Sequence, residues 1–427
     1  MKIIEGYEAA KAALSRQDPS SEGLGSDDRE QAVRQIINEV ARRGDAALID
    51  YTRKLDGVEL TSLAVTGEEV KAAYNQVSDE LVAAMKLAAE RITAYHTFQK
   101  NSLPGDTVKD GLGWLVRPLN RIGVYTPGTN PPLPSSLLMT VIPARVAGVK
   151  EIILVTPPGE DGKVSPLKLA AADIAGVDRI FSVGGPQAVA ALAFGTETIP
   201  AVDKVCGPGN IYVTLAKKLL YGTVGIDGLF GPSEVLIIAD ETANPAYCAS
   251  DLLAQAEHAE GSAALLTTSN DFASRVKSEV EKQLKELSRS DSAAEALEKR
   301  GVLAVVADIS QAIELANLYA PEHLLLMVDK ADSYLGEIYG AGCVVTGEKG
   351  TVALGDYLAG PSHVLPTGGT ARYSSPLNVL DFLKLTSVID VDDALLEKLG
   401  PAARTMAEAE GLDAHAKAVE KRLGESN

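Results

Sequence analysis

The sequence predicts an α/β fold with mainly parallel sheets, and three observations predict it. Short β-rich apolar runs recur at Glu151–Val155, Arg179–Val183, Glu234–Ile238, Ala263–Thr267, Val302–Val306, Leu324–Val328 and Cys343–Thr346. Helical patterns lie between them, as at Gln187–Phe194, Asn210–Leu220 and Tyr247–Glu260. This alternation suits parallel pairing, because two parallel strands need a crossover connection between them. Two of the junctions are glycine-rich: Gly184-Gly185-Pro186-Gln187 and Cys206-Gly207-Pro208-Gly209-Asn210 each follow a strand and open a helix.

The flanks read differently. A short helix is expected over Tyr7–Arg16, then a Ser/Gly/Asp-rich linker over Pro19–Asp28. A longer helical segment follows, with Val33, Ile36, Ile37 and Val40 at helical spacing before a break near Gly44-Asp45. From about Asn378 the chain reads as helical and charged, a separate tail rather than a further βα unit. At 427 residues and 46% hydrophobic, the chain can bury a large core without disulfides or metals as staples. A formal charge of −18 argues against a general nucleic-acid binder and against an anionic membrane surface. The same field mildly favours a cationic substrate. Cys206, Cys248 and Cys343 are odd in number and widely spaced, which fits free thiols in a reducing compartment. The N-terminus lacks the apolar run of a signal peptide. The longest uncharged stretch, Ile122–Ala144, carries Pro127, Pro131, Pro132, Pro134 and Pro143 and cannot be a continuous membrane helix. A cytoplasmic protein is expected.

Five histidines stand out by their scarcity: His96, His258, His323, His363 and His415. In DLLAQAEHAEG, Gln255 and His258 are three apart, so on a helix they would share a face. That spacing could serve two metal ligands, but on this segment alone a solvated polar face is the favoured reading. In NLYAPEHLLLMV, Glu322 and His323 stand side by side after Pro321, where a loop leads into a strand, and Pro321 biases Ala320 towards an extended backbone. A carboxylate beside an imidazole suits proton transfer near neutral pH. Two partly exposed polar residues at a strand start are the plainer alternative. Asp356 and His363 fall in a Gly/Pro/Ser/Thr-rich loop, GDYLAGPSHVLPTGGTARYSS; Glu410 and His415 fall in AEAEGLDAHA, which alone reads as a surface helix. No GxGxxG followed by an acid is present. The two glycine junctions could present free N–H groups to a pyrophosphate, or could be tight turns for structural reasons.

Taken in order, LLAQAEH, YAPEHL, GPGNIYV, GPSEVLIIADETANP, GDYLAGPSHVLPTGGTARYSS and EAEGLDAHA closely resemble the histidinol dehydrogenase family, from about residue 30 to residue 423. The resemblance implies an NAD-dependent, zinc-containing enzyme that oxidises an amino alcohol through an aldehyde to an amino acid. It implies that Gln255, His258, Asp356 and His415 hold one zinc ion per subunit, a donor set that also suits manganese or cobalt. It implies that His323 is the base for the hydroxyl proton and that Glu322 activates water. Ser233, Gln255, His258, His323, Asp356, Glu410 and His415 match substrate-binding positions, and Tyr125, Gln187 and Asn210 match NAD contacts. His363 lies in a family motif and would touch substrate, whereas His96 matches none.

By the same resemblance the architecture is two incomplete Rossmann-like domains with small N- and C-terminal extensions, in an intertwined homodimer. Its divisions are 1–23, an N-terminal helical extension; 24–120 with 239–377, carrying metal and catalytic residues; 121–238, contacting NAD; and 378–427, reaching the partner subunit. No nucleic acid or membrane partner is expected. Two departures from the family pattern are Thr129 and Asn130 in TPGTNPPLPSS, beside the expected NAD site, and Ser362 where Asn is usual. Three alternatives remain at this stage. They are a related dehydrogenase of another polar alcohol such as a sulfonated diol, a zinc hydrolase and a non-catalytic binding protein. The strand–glycine–helix junctions, unneeded for hydrolysis, favour a dehydrogenase; the Glu-His pair argues against mere binding.

Overall fold

The structure, a computed structural model, describes residues 1–16, 27–128, 132–258 and 260–424. Most of the Pro19–Asp28 linker and the Thr129-Asn130 departure lie outside them. The chain divides into two compact units, residues 1–100 with 119–382, and residues 101–118 with 383–427.

In chain order the strands are β1 (Ile3–Glu5), β2 (Thr107–Lys109), β3 (Leu112–Pro118), β4 (Arg121–Tyr125), β5 (Glu151–Thr156), β6 (Arg179–Ser182), β7 (Lys204–Cys206), β8 (Gly225–Ile226), β9 (Glu234–Ala239), β10 (Ser262–Thr267), β11 (Gly301–Val305), β12 (His323–Met327), β13 (Cys343–Thr346) and β14 (Leu383–Ile389). The larger unit holds two wholly parallel sheets, in orders β1-β11-β10-β9-β12-β13 and β6-β5-β4-β7-β8. Parallel strands covered on both faces need near-continuous apolar runs. β9 shows this: all six of its residues are buried. Its alternate side chains enter different cores, Val235 and Ile237 with Leu252 and Phe272 on one face, Leu236 and Ile238 with Ile313 and Leu315 on the other.

The helices begin where their caps dictate. Asn244 accepts the Ala246 N–H at 2.9 Å ahead of helix Pro245–Ala256, and Asp308 accepts the Gln311 N–H at 2.8 Å ahead of helix Ile309–Tyr319. The expected break at Gly44 separates helix Asp27–Arg43 from helix Asp45–Asp56, and Gly44 has φ +54°.

Four divisions drawn from the sequence differ from the pairing. β1 is an edge strand of the six-stranded sheet and the expected helix, Tyr7–Leu14, packs Ala10 and Leu14 into that sheet's core, so the chain start is part of this sheet rather than a separate extension. Val33, Ile37, Val40 and Leu48 share a core with Val189, Leu192 and Val213, which places the 27–56 helices with the five-stranded sheet. β9 belongs with β10 and β12 rather than with residues 121–238. The tail opens with a strand: β14 pairs antiparallel with β3, and β3 with β2, before helices Asp393–Ala409 and Asp413–Glu420. β14 escaped notice because its two faces are both largely exposed, which blurs the apolar alternation. No described helix is long and apolar enough to cross a membrane.

Candidate active site

Glu322 and His323 come together at the amino end of β12, where His323 stands in register with Val235 of β9 and Cys343 of β13. The backbone that delivers them is unusual. Helix Ile309–Tyr319 ends on Ala320, whose N–H donates to the Ala316 carbonyl at 2.8 Å, in a left-handed conformation with φ +50° and ψ 66°. The expected extended backbone before Pro321 is therefore corrected: the helix cap decides it. A residue bearing Cβ costs about 1–2 kcal/mol there. The fully buried Ala320 is held by its surroundings, and strain of this kind gathers beside functional groups.

Both side chains of the pair are buried, 6% and 5% exposed. Glu322 Oε2 accepts the Glu234 N–H at 2.8 Å, and the Ser233 side chain also hydrogen-bonds its carboxyl. Burial pushes the Glu322 carboxyl up to about 8, with the charges of Glu234 and Asp356 acting the same way against those hydrogen bonds. His323 Nε2 lies 3.9 Å from Glu322 Oε1 and 3.8 Å from Asp356 Oδ1. Burial drives His323 down to about 4, helped by His363 and His258. Near neutral pH the imidazole is thus a free base. A cation placed nearby would return Glu322 towards its carboxylate form.

The metal-binding expectations fare as follows. Helix Pro245–Ala256 ends before His258, so the shared helical face does not exist. The donors are instead joined by a turn: the His258 N–H donates to the Gln255 carbonyl at 3.2 Å, and the Gly261 N–H to the His258 carbonyl at 2.6 Å. A side chain at Gly261 would meet that Gln255 carbonyl at 2.7 Å and the Gln255 amide nitrogen at 3.0 Å, so only glycine allows this closure. Asp356 sits on a short helix, Val352–Tyr357, rather than in a loop, and burial raises its carboxyl to about 6. The Asp356 carbonyl is 2.8 Å from His363 Nδ1, and burial pushes His363 down to about 4. Gln255 is 4% exposed, yet its amide nitrogen has no hydrogen-bond partner. Amide oxygen and nitrogen are interchangeable by rotation, so this orphaned end fits an oxygen ligand turned to a cation. Among the described residues, no three His, Cys, Asp or Glu side chains gather as a metal site. Gln255 is of another type, and Glu410 and His415 lie in the second compact unit.

The expected NAD contacts gather at the carboxyl ends of the five-stranded sheet, where order β6-β5-β4-β7 reverses direction between β4 and β7. Ligands of such sheets bind at that reversal. Gly207, at φ +109°, presses so close to β4 that a Cβ would stand 2.1 Å from the Tyr125 carbonyl. Tyr125 Oη accepts the Gly185 N–H at 3.3 Å. Gln187 is 1% exposed, and both ends of its amide lack partners, which suits a group waiting for a ligand. Asn210 has a structural duty: its side-chain oxygen caps helix Ile211–Leu220, accepting the Tyr212 and Val213 N–H groups at 3.1 and 3.2 Å. His96 is buried on helix Asp79–Asn101, hydrogen-bonded to Gln99 at 3.2 Å.

Two supporting residues were missed. Arg16 grips the Glu234 carboxylate with both terminal guanidinium nitrogens, stacks 4.1 Å from the Tyr319 ring centre and donates to the Tyr319 carbonyl at 2.7 Å. Glu234 also accepts the Gly368 N–H at 3.2 Å while its own N–H fixes Glu322. No local spacing signals a pair 218 residues apart.

A buried imidazole beside a carboxyl group, with metal-suited donors nearby and an orphaned amide at the parallel five-stranded sheet, fits an α/β oxidoreductase. The histidinol dehydrogenase family model matches residues 20–423. Histidinol dehydrogenase of Dehalococcoides mccartyi strain CBDB1 is 54% identical, over 99% of this chain and 100% of its own. That of Deinococcus radiodurans is 48% identical, over 99% and 100%. The crystal structure of histidinol dehydrogenase from Elizabethkingia anophelis, 38% identical, superposes with a TM-score of 0.93 over 100% of this chain and 98% of its own. The chain belongs to the histidinol dehydrogenase family.

Proposed function

We propose that this enzyme oxidises L-histidinol through L-histidinaldehyde to L-histidine, the last steps of histidine biosynthesis, reducing NAD twice. Family membership favours histidinol over a sulfonated diol and sets aside the hydrolase and the binding protein. The observation that carries the mechanism is the buried pair, a free-base imidazole beside a carboxyl group of raised proton affinity.

His323 takes the hydroxyl proton as hydride leaves the carbon; a neutral imidazole is the form that can accept it. Glu322, as a carboxylate, takes a proton from the water that adds to the aldehyde, and a second hydride then leaves. Ser233, which already hydrogen-bonds Glu322, steadies that carboxylate beside the substrate. Tyr125, Gln187 and Asn210 hold NAD. Gln255, His258 and Asp356, with the partner subunit's His415, hold zinc, and the partner subunit's Glu410 binds substrate. Zinc supplies a template for the substrate's amine and imidazole. The two sheets serve as incomplete Rossmann-like domains, and the tail of each subunit completes its neighbour's site in an intertwined homodimer. This reading accords with a cytoplasmic enzyme.

His258→Ala tests the metal assignment. Zinc per chain should fall roughly tenfold or more, as losing a ligand exceeds losing its supporting partner, with L-histidinol turnover falling alongside. The fold should survive, because a chain this large does not need the metal as a staple. A full equivalent of zinc with normal turnover would refute the ligand set.

A further inference from the structure

Lys168 has no role in the proposed chemistry, yet its placement is costly. It lies on helix Pro166–Ala175 and is 3% exposed. Among the described residues it forms no ion pair; its ammonium donates to the Pro127 carbonyl at 2.5 Å and to Thr156 Oγ1 at 3.0 Å. Burial lowers its affinity for the proton, to about 8. A buried amine without a carboxylate is expensive, so what it holds bears on function.

It holds the carboxyl edge of the five-stranded sheet. Tyr125 pairs with Val155, Thr156 pairs with Ser182, and the Thr126 N–H donates to the Val155 carbonyl at 3.1 Å. Thr126, Thr156 and Ser182 therefore form a row across β4, β5 and β6. Tyr125, Val155 and Phe181 belong to the core on the other face. Lys168 secures this row and the Pro127 carbonyl together. Beyond it three turns are stacked. A Cβ at Gly128 would stand 2.7 Å from the Pro157 ring, and one at Gly184 would stand 2.5 Å from it, so Pro157 is pressed between two glycines. Gly184 leads directly to Gly185, whose N–H meets Tyr125 Oη, and to the unpartnered Gln187 amide.

We propose that Lys168 is a positioning residue for the nicotinamide cofactor: through Pro127, it locks the stacked turns at Gly128, Pro157 and Gly184 and so fixes Gln187 and Tyr125 for NAD. This rests on the NAD reading above. Lys168 itself touches no reacting atom, and its effect belongs in cofactor affinity rather than in the chemical step.

The test uses Lys168→Met, which keeps length and removes the ammonium. Cofactor affinity is measured by titration calorimetry with NAD, and KM and kcat by steady-state turnover with L-histidinol. The expected result is a rise of about tenfold in Kd and KM for NAD, the scale of one lost charge-assisted hydrogen bond. At saturating NAD, kcat should stay within about twofold and KM for L-histidinol should not move. The Tm should move little, because removing a buried unpaired charge offsets the loss of the donor to the Pro127 carbonyl and Thr156 Oγ1. Thr156→Val, which leaves the amine with one acceptor, should raise KM for NAD by roughly threefold and decides the matter if Lys168→Met does not fold. Unchanged NAD affinity in the folded Met variant overturns the proposal; so does a fall in Tm without a selective rise in KM for NAD, which would make Lys168 a packing residue. If the parent enzyme itself binds no NAD, the cofactor reading fails instead.

Discussion

Glu322→Gln should slow oxidation of L-histidinaldehyde by about a thousandfold while slowing oxidation of L-histidinol to the aldehyde by no more than about tenfold. The amide keeps the size of the carboxyl and an oxygen able to accept the Glu234 N–H, now at 2.8 Å, so the fold and the anchoring should persist. What is lost is the ability to take a proton from water. In the proposed mechanism alcohol oxidation needs no water and leaves its proton on His323, whose imidazole lies 3.9 Å from the carboxylate and is held neutral by burial. The aldehyde step cannot proceed without adding water. Supplying each substrate separately and following absorbance at 340 nm separates the two steps. Equal losses with both substrates would show that the division of labour within the pair is wrong.

Mixing two chains that each fail to complete the reaction should restore about a quarter of wild-type L-histidine formation. If the partner subunit's His415 completes each zinc site, Glu322→Gln and His415→Ala damage opposite contributions to one composite site, and each homodimer should form almost no L-histidine, because the aldehyde step fails in both. In a mixed dimer one site collects both lesions and the other neither. Random assortment of equal amounts makes half of the dimers mixed, and half of their sites intact, as a two-fold interface requires. The chains must be co-expressed or refolded together, because an intertwined dimer exchanges slowly. Verified heterodimers as inactive as either parent would place His415 in its own chain's site.

Much of the scaffold was legible because parallel strands buried on both faces must be continuous apolar runs. The Glu151–Val155 and Glu234–Ile238 runs differ from the observed strands by a single residue at one end. The antiparallel sheet was not legible: β2 and β14 are short or exposed, and β14 pairs with β3, joining residues 383–389 to residues 112–118. At the site, residue identity was readable but geometry was not. Gln255 and His258 matched a helical spacing, yet the helix stops at Ala256 and a glycine-closed turn joins them. Ala320 shows the same limit: Pro321 argued for extended backbone, and tertiary packing imposed a left-handed cap instead. Arg16 and Glu234 became visible as supports only once the fold had brought the chain start against β9. Lys168 was invisible for the converse reason, since a lone lysine in PLKLAAADIA reads as a solvated position and only burial gives it meaning.

The central claim is that one site performs two successive oxidations of histidinol. It is tested most directly by an end-point titration: a limiting, known amount of L-histidinol is consumed with excess NAD, and the NADH formed is counted by absorbance at 340 nm. The account predicts two NADH per L-histidinol, with L-histidine as the product and no aldehyde accumulating. One NADH per L-histidinol with free aldehyde, or no reduction of NAD at all, would contradict it.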